Sequence, residues 1–300
     1  MSRLTLAFAF ALLAPTALAA QKHAPAATPP SRPGWTLVWH DEFDGSTLDL
    51  KKWNVLLREQ SKHDELQYYV PDEVWVEDGV LRIRSARRDY GEQHYTSGRL
   101  DTSGKFAPVY GRFEIRGKLP GGKGMWPAYW LYPQNRDWAM ERLMGEAVAA
   151  GQERSIPEAR PWYSEIDIME YLGHEPGVIY GTLHYRTFKG ESKSSSGTLH
   201  ADVDFSKDFH VYALEWEPDS IRWYVDDRLI HATVAGIPHA PHYIILNTAV
   251  GGQWPGNPDS TTVFPQFHDI DYVRVYQRPA YFQRQQATKP APGVAGDPRR

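Results

Sequence analysis

Short runs in which apolar and polar residues alternate recur along most of the chain, the pattern of strands that bury one face. Val80-Leu81-Arg82-Ile83-Arg84 keeps the alternation strictly, and Asp78-Gly79 ahead of it supplies a turn, so residues 74–84 are predicted to form a β-hairpin. Further strands are expected at 35–43, 111–119, 179–185, 210–217, 221–225, 229–234, 243–250 and 269–276. Many short strands joined by turns point to an all-β fold, a two-sheet β-sandwich of jelly-roll type whose concave sheet makes a groove for a polymer. Residues 137–150 (DWAMERLMGEAVAA) depart from this rhythm with helix-forming composition and roughly helical spacing. A helical insert is therefore expected at 136–160, as a cleft wall or lid or as a surface decoration.

Just after that insert, Ser164-Glu165-Ile166-Asp167-Ile168-Met169-Glu170-Tyr171 sets three carboxylates in an otherwise apolar run. In a regular strand Glu165 and Asp167 share one face and Ile166 and Ile168 the other. Glu170, five positions from Glu165, would then face the apolar layer, where an unpaired carboxylate is strongly disfavoured. A one-residue bulge near Ile168-Met169 restores the parity and brings all three acids to one groove. The Cα atoms of Glu165 and Glu170 would lie roughly 13 Å apart at ~3.3 Å per residue. Two long side chains on a curved sheet could close this to the ~5–5.5 Å carboxyl separation of a retaining glycosidase, an arrangement the spacing permits. A charged Asp167 between them would raise the pKa of the acid. The competing description is an acidic strand facing solvent, which the misplaced Glu170 makes less apt.

Composition adds to this picture. Aromatic residues make up 13% of the chain, and 24 Gly and 23 Pro supply turns. Eleven Trp residues are a high count; core packing accounts for such a count, but indole faces also stack on sugar rings, so a cleft is a second place for some of them. A net charge of −4 carries none of the basic excess of a nucleic-acid or membrane-surface binder. Met1-Ser2-Arg3, the apolar run Leu4–Leu13 and Ala17-Leu18-Ala19 have the layout of a secretion signal, with cleavage expected after Ala19. The Ala- and Pro-rich stretch 20–33 and the tail 279–300 read as disordered flanks of a folded unit at 34–278. Without cysteine, an exported chain has neither disulfides nor thiolate chemistry, so its stability must come from a large core, with a bound ion as a second source. The chain contains no HExxH helix, GxSxG elbow or P-loop.

Eight segments in order resemble glycoside hydrolase family 16, particularly its bacterial endo-β-1,3-glucanases, the laminarinases. They are WHDEFDG from Trp39, ELQYY from Glu65, YTSGR from Tyr95, GMWPAYWL from Gly124, EIDIME from Glu165, GTLH from Gly181, AVGGQWPG from Ala249 and DYVRVY from Asp271. The resemblance implies Glu165 as nucleophile, Glu170 as acid/base and Asp167 as the residue that holds and tunes the pair. It implies sugar contacts at Asn54, Glu65, Arg99, Trp126, Trp130, His184, Asn247 and Trp254. No cofactor is expected for catalysis, but a structural calcium ion is, held by Glu42, the Gly79 carbonyl and Asp271. The implied partner is a β-glucan polysaccharide cleaved at internal β-1,3 bonds, with mixed β-1,3/1,4 glucans as further substrates, by a secreted monomer. Two residues between Asp167 and Glu170 match the laminarinase and galactanase branches; lichenases of the family have one. Ser164, where the family commonly has Gly, and the insert are departures that bear on chain-length and polymer preference. Agarase- or carrageenase-like action, transglycosylation and non-catalytic glucan binding are the alternatives.

Overall fold

The computed structural model describes residues 29–59, 62–134, 164–187 and 191–281. The expected secretion signal, the helical insert and most of both flanks lie outside the described residues. In chain order the strands are β1 (Thr36–Asp41), β2 (Asn54–Val55), β3 (Arg58–Glu59), β4 (Gln67–Tyr69), β5 (Val74–Glu77), β6 (Val80–Ser85), β7 (Tyr95–Ser97), β8 (Arg99–Asp101) and β9 (Gly111–Lys118). They continue as β10 (Met125–Pro133), β11 (Ser164–Glu170), β12 (Val178–Arg186), β13 (Ser192–His200), β14 (His210–Trp216), β15 (Ile221–Val225), β16 (Arg228–Thr233), β17 (His242–Val250) and β18 (Gln266–Gln277).

Two antiparallel sheets face each other. One runs β16-β15-β14-β9-β18-β6-β5, with β1 also on β18; the other runs β13-β12-β11-β10-β17-β8-β2. The fold is the all-β, two-sheet jelly roll that the alternation implies, and every strand expected from it is present. The β5–β6 hairpin turns through Asp78 and Gly79, both at positive φ, as a two-residue primed turn requires. Gly98 carries the chain from β7, in a small sheet with β3 and β4, into β8 of the second sheet. A Cβ there would lie 2.4 Å from Val74 Cγ2, so the chain switches sheets where only glycine fits.

The core between the sheets is built from the inward half of each alternating strand. Tyr129 and Leu131 of β10, Ile166 of β11, Leu183 of β12 and Ile244 and Leu246 of β17 meet Phe113, Ile115, Leu214, Trp223 and Val273 from the opposite sheet. The outward half of the second sheet is therefore free to form a groove.

Candidate active site

β11 carries the bulge that its sequence demands. Against β10, Met169 pairs with Tyr129 while Asp167 pairs with Trp130, so Ile168 is the extra residue. Against β12, Asp167 pairs with Thr182 and Glu170 with Tyr180, three steps on one strand for two on the other. Ile168 and Met169 are consecutive and both buried, and beyond them Glu170 returns to the face of Glu165 and Asp167. A bulge disrupts the ladder, and here a side chain from the opposite sheet supports the disrupted backbone: Trp223 Nε1 of β15 donates to the Asp167 carbonyl at 2.8 Å. Gly181 of β12 lets the indole in, since a Cβ at that position would lie 2.6 Å from Trp223 Cδ1. At the head of the strand, buried Ser164 Oγ lies 2.9 Å from His242 Nε2, and His242 Nδ1 lies 2.8 Å from the Ala240 carbonyl. The carbonyl can only accept, so Nδ1 carries the proton, Nε2 accepts, and Ser164 donates.

Electrostatics separates the acids. Burial, and next the charges of Glu170 and Glu165, hold the Asp167 carboxyl well above the usual carboxylate range. Burial and then the Glu165 charge push Glu170 up to about 7, against the opposing effect of the Trp126 indole, whose Nε1 donates to Glu170 Oε1 at 3.1 Å. Glu170 is raised, as expected from sequence, but the cause differs. Desolvation leads and Glu165 supplies the charge, where Asp167 was expected to. Asp167 is itself too buried to ionise readily, with 4% of its surface exposed.

The expected sugar-contact residues fall into two groups around these acids. Trp126 and Trp130 stand on the groove face of β10, flanking the small Ala128, which is paired with Glu170 on one side and Asn247 on the other. Trp130 Nε1 donates to Asn247 Oδ1 at 2.7 Å, Asn247 Nδ2 donates to Tyr69 Oη at 3.1 Å, and the Arg99 guanidinium lies 4.9 Å from the Trp130 ring centre. Glu65 is buried and accepts from Gln67 Nε2 at 2.7 Å. Asn54, on the far strand, donates through Nδ2 to Asp101 Oδ1 and the Ser103 carbonyl. Across the acids, His184 sits opposite Glu165 on β12, with Nε2 3.4 Å from Asp167 Oδ2. Trp254 packs edge-on against Trp126 and Tyr180, at ring separations of 5.5 and 4.9 Å.

Tyr180 is absent from the residues predicted above. It is paired with Glu170, and its hydroxyl donates to Glu175 Oε2 at 2.5 Å. Its parity with Thr182 and His184 was the available signal. Tyr69 and Gln67 were also missed as supports of Asn247 and Glu65.

Comparison with known proteins decides what this groove belongs to. The sequence profile of "Glycosyl hydrolases family 16" matches residues 63–274, well over half of the chain. The chain belongs to glycoside hydrolase family 16. Within the family it is 38% identical over 263 residues to a protein named beta-glucanase from Rhodothermus marinus, covering 82% of this chain and 86% of that one. The laminarinase catalytic domain of Thermotoga maritima superposes with a TM-score of 0.67 at 38% identity, covering 81% of this chain and 98% of that one. A structure described under endo-acting O-glycanases of human gut microbes that initiate mucin breakdown superposes with a TM-score of 0.72 at 30% identity, over 88% and 98% of the two chains.

The calcium ligands implied by family 16 do not fit a cation as they stand. Both oxygens of Glu42 are held by Arg274, at 2.9 and 2.6 Å, and His40 Nδ1 lies 3.1 Å from one of them. Asp271 accepts from Arg116 at 2.6 Å, and Gly79 lies in the β5–β6 turn. Each carboxylate is already paired with a guanidinium, so nothing further is derived through the ion.

Proposed function

We propose that this chain is a retaining endo-β-1,3-glucanase that cleaves internal bonds of glucans such as laminarin. The observation that carries the reading is the carboxyl pair on one face of a bulged strand, with Glu170 pushed up to about 7 by burial and by Glu165. Such a group holds a proton at neutral pH and can release it in the next step. Glu165 attacks the anomeric carbon, the bond to the leaving sugar breaks, and the Glu170 proton passes to the departing oxygen. Glu170, now a carboxylate, takes a proton from water, whose oxygen displaces Glu165, and two inversions leave the β configuration. Burial and the charges of both glutamates disfavour ionisation of Asp167, which limits the negative charge beside the pair. Trp126, Trp130 and Trp254 offer ring faces and edges that orient sugars rather than take part in bond making.

The relatives named beta-glucanase and laminarinase favour a neutral β-glucan. The neighbour described with endo-acting O-glycanases motivates a second reading, a mucin-type O-glycan on the same machinery. We also read residues 1–19 as an export signal removed after Ala19 and the mature chain as a monomer; intact mass of protein from the medium and its elution volume test both. The deciding experiment measures product size and anomeric configuration on laminarin, lichenan, agarose, κ-carrageenan and a mucin O-glycan, with Glu165→Gln as control. β-Configured oligosaccharides from laminarin with wild type alone are the expected result. α-Products would refute retention, cleavage of a different polymer would move the specificity, and laminarin binding without cleavage of any polymer would favour a binding protein.

A further inference from the structure

Inside the groove, Glu165, Asp167 and His184 each present a ligand atom within 4.8 Å of the other two. The backbone sets this up: Glu165 and His184 are directly paired across β11 and β12, and Asp167 shares their face one pair along. Asp167 Oδ2 is buried and accepts no hydrogen bond from any described residue, although His184 Nε2 lies only 3.4 Å away. A buried carboxyl oxygen without a hydrogen-bond partner is unusual and costly, and it lies within reach of the other two ligand atoms. In a tetrahedral zinc site with ligand bonds of ~2.0–2.1 Å the donor atoms stand about 3.4 Å apart. His184 Nε2 and Asp167 Oδ2 already have that separation, and Glu165 is long enough to complete the set by a change of rotamer. The His184 side chain is 45% exposed, which leaves an entry path from the groove.

We propose that these three residues form an inhibitory site for a divalent transition metal of the zinc type, occupied in competition with substrate. One imidazole and two carboxylates suit zinc, cobalt or copper, leaving a fourth position for water or a sugar hydroxyl. Calcium and magnesium call for six or more oxygens and find too few here. The ion binds through Glu165, Asp167 and His184, so it removes the nucleophile and one sugar contact from play and leaves the other sugar contacts in place. The inhibition rests on the catalytic reading given above; the binding does not.

The test titrates metal-free full-length protein with Zn²⁺ by calorimetry and follows Co²⁺ by visible absorption, then measures laminarin hydrolysis at rising Zn²⁺. Wild type is expected to take one ion at this site with a tetrahedral Co²⁺ spectrum, and laminarin oligosaccharide should displace it. His184→Gln and Asp167→Asn, checked for folding by circular dichroism, should weaken binding beyond the ~10–100-fold that loss of a mere supporting group costs. His94→Gln alters the exposed His94–Asp89 pair elsewhere on the surface and should change nothing. Binding equally tight in both groove variants would overturn the site, as would no binding by a wild type that cleaves laminarin. Undiminished hydrolysis with the ion bound would overturn the inhibition. Zn²⁺ binding that depends on His184, in a protein that cleaves no β-glucan, would uphold the metal site and defeat the glucanase reading instead.

Discussion

Trp223→Phe tests whether the catalytic geometry depends on the opposite sheet. Trp223 Nε1 donates to the Asp167 carbonyl at 2.8 Å, and the indole is fully buried. Phenylalanine keeps an aromatic ring but has no N–H. A buried carbonyl that loses its partner costs ~1–3 kcal/mol. The missing ring atoms leave a few tens of Å³ at ~24 cal/mol per Å³, about 1 kcal/mol more. For a domain of this size each kcal/mol lowers Tm by about 2–4 °C, so a fall of roughly 4–16 °C is expected in a thermal melt. The catalytic effect should exceed what lost stability explains. If the bulge relaxes towards a regular strand, Glu170 turns away from the groove, and kcat on laminarin should fall by on the order of a hundredfold. The alkaline limb of the pH profile should also move towards the ordinary glutamate range as Glu170 loses its burial.

Trp53→Phe is the control. Its indole is equally buried and donates to Asp41 Oδ2 at 2.8 Å, in the N-terminal segment of the fold. It should lose comparable stability and keep the wild-type pH profile at temperatures where it is folded. A Trp223→Phe protein with wild-type kcat and pH profile would refute the reasoning, however far its Tm dropped, because the bulge would then be holding itself.

Ser164→Ala leaves His242 Nε2 a buried acceptor without its donor, so urea unfolding should show a loss of ~1–3 kcal/mol with an unchanged m-value. Glu170→Gln should abolish hydrolysis and alter stability in a pH-dependent way. The folded-state pKa of about 7 lies above the ordinary 4.5, so the fold favours the protonated form; that contribution is present below pH 4.5 and lost as pH rises through 7. The Gln variant should therefore match wild type near pH 4 and exceed it at pH 8, by on the order of 3 kcal/mol at most, in parallel melts. Because Arg274 and Arg116 occupy the expected calcium ligands, chelation with EDTA should shift Tm by less than about 1 °C.

The parity of Glu170 shows how far a sequence can be read here. A carboxylate on the wrong face of an alternating strand is a local contradiction, and a bulge is its local remedy, so Ser164–Glu170 discloses its own irregularity. What braces that irregularity is not local. Trp223 lies 56 positions downstream of Asp167, in the other sheet, and its neighbourhood reads as an ordinary buried strand. β13 escaped notice for a different reason: Ser192–Ser196 is an exposed edge of serines and a lysine, with no apolar alternation to mark it. Tyr180 looked like one more strand aromatic until its pairing with Glu170 was visible.

Calcium illustrates the opposite hazard. Glu42 and Asp271 match the implied ligands by residue type, yet type does not record that Arg274 and Arg116 reach them first. The cause of the Glu170 shift belongs with these cases. Sequence places Asp167 nearest along the strand and so makes it the obvious perturbing charge. Folding buries Asp167 until it resists ionisation, and the charge on Glu170 then comes from Glu165, the more distant residue in the chain. Proximity in sequence thus points to the wrong perturbing charge, while burial, which the strand acquires only when the two sheets close, determines how Glu170 is tuned.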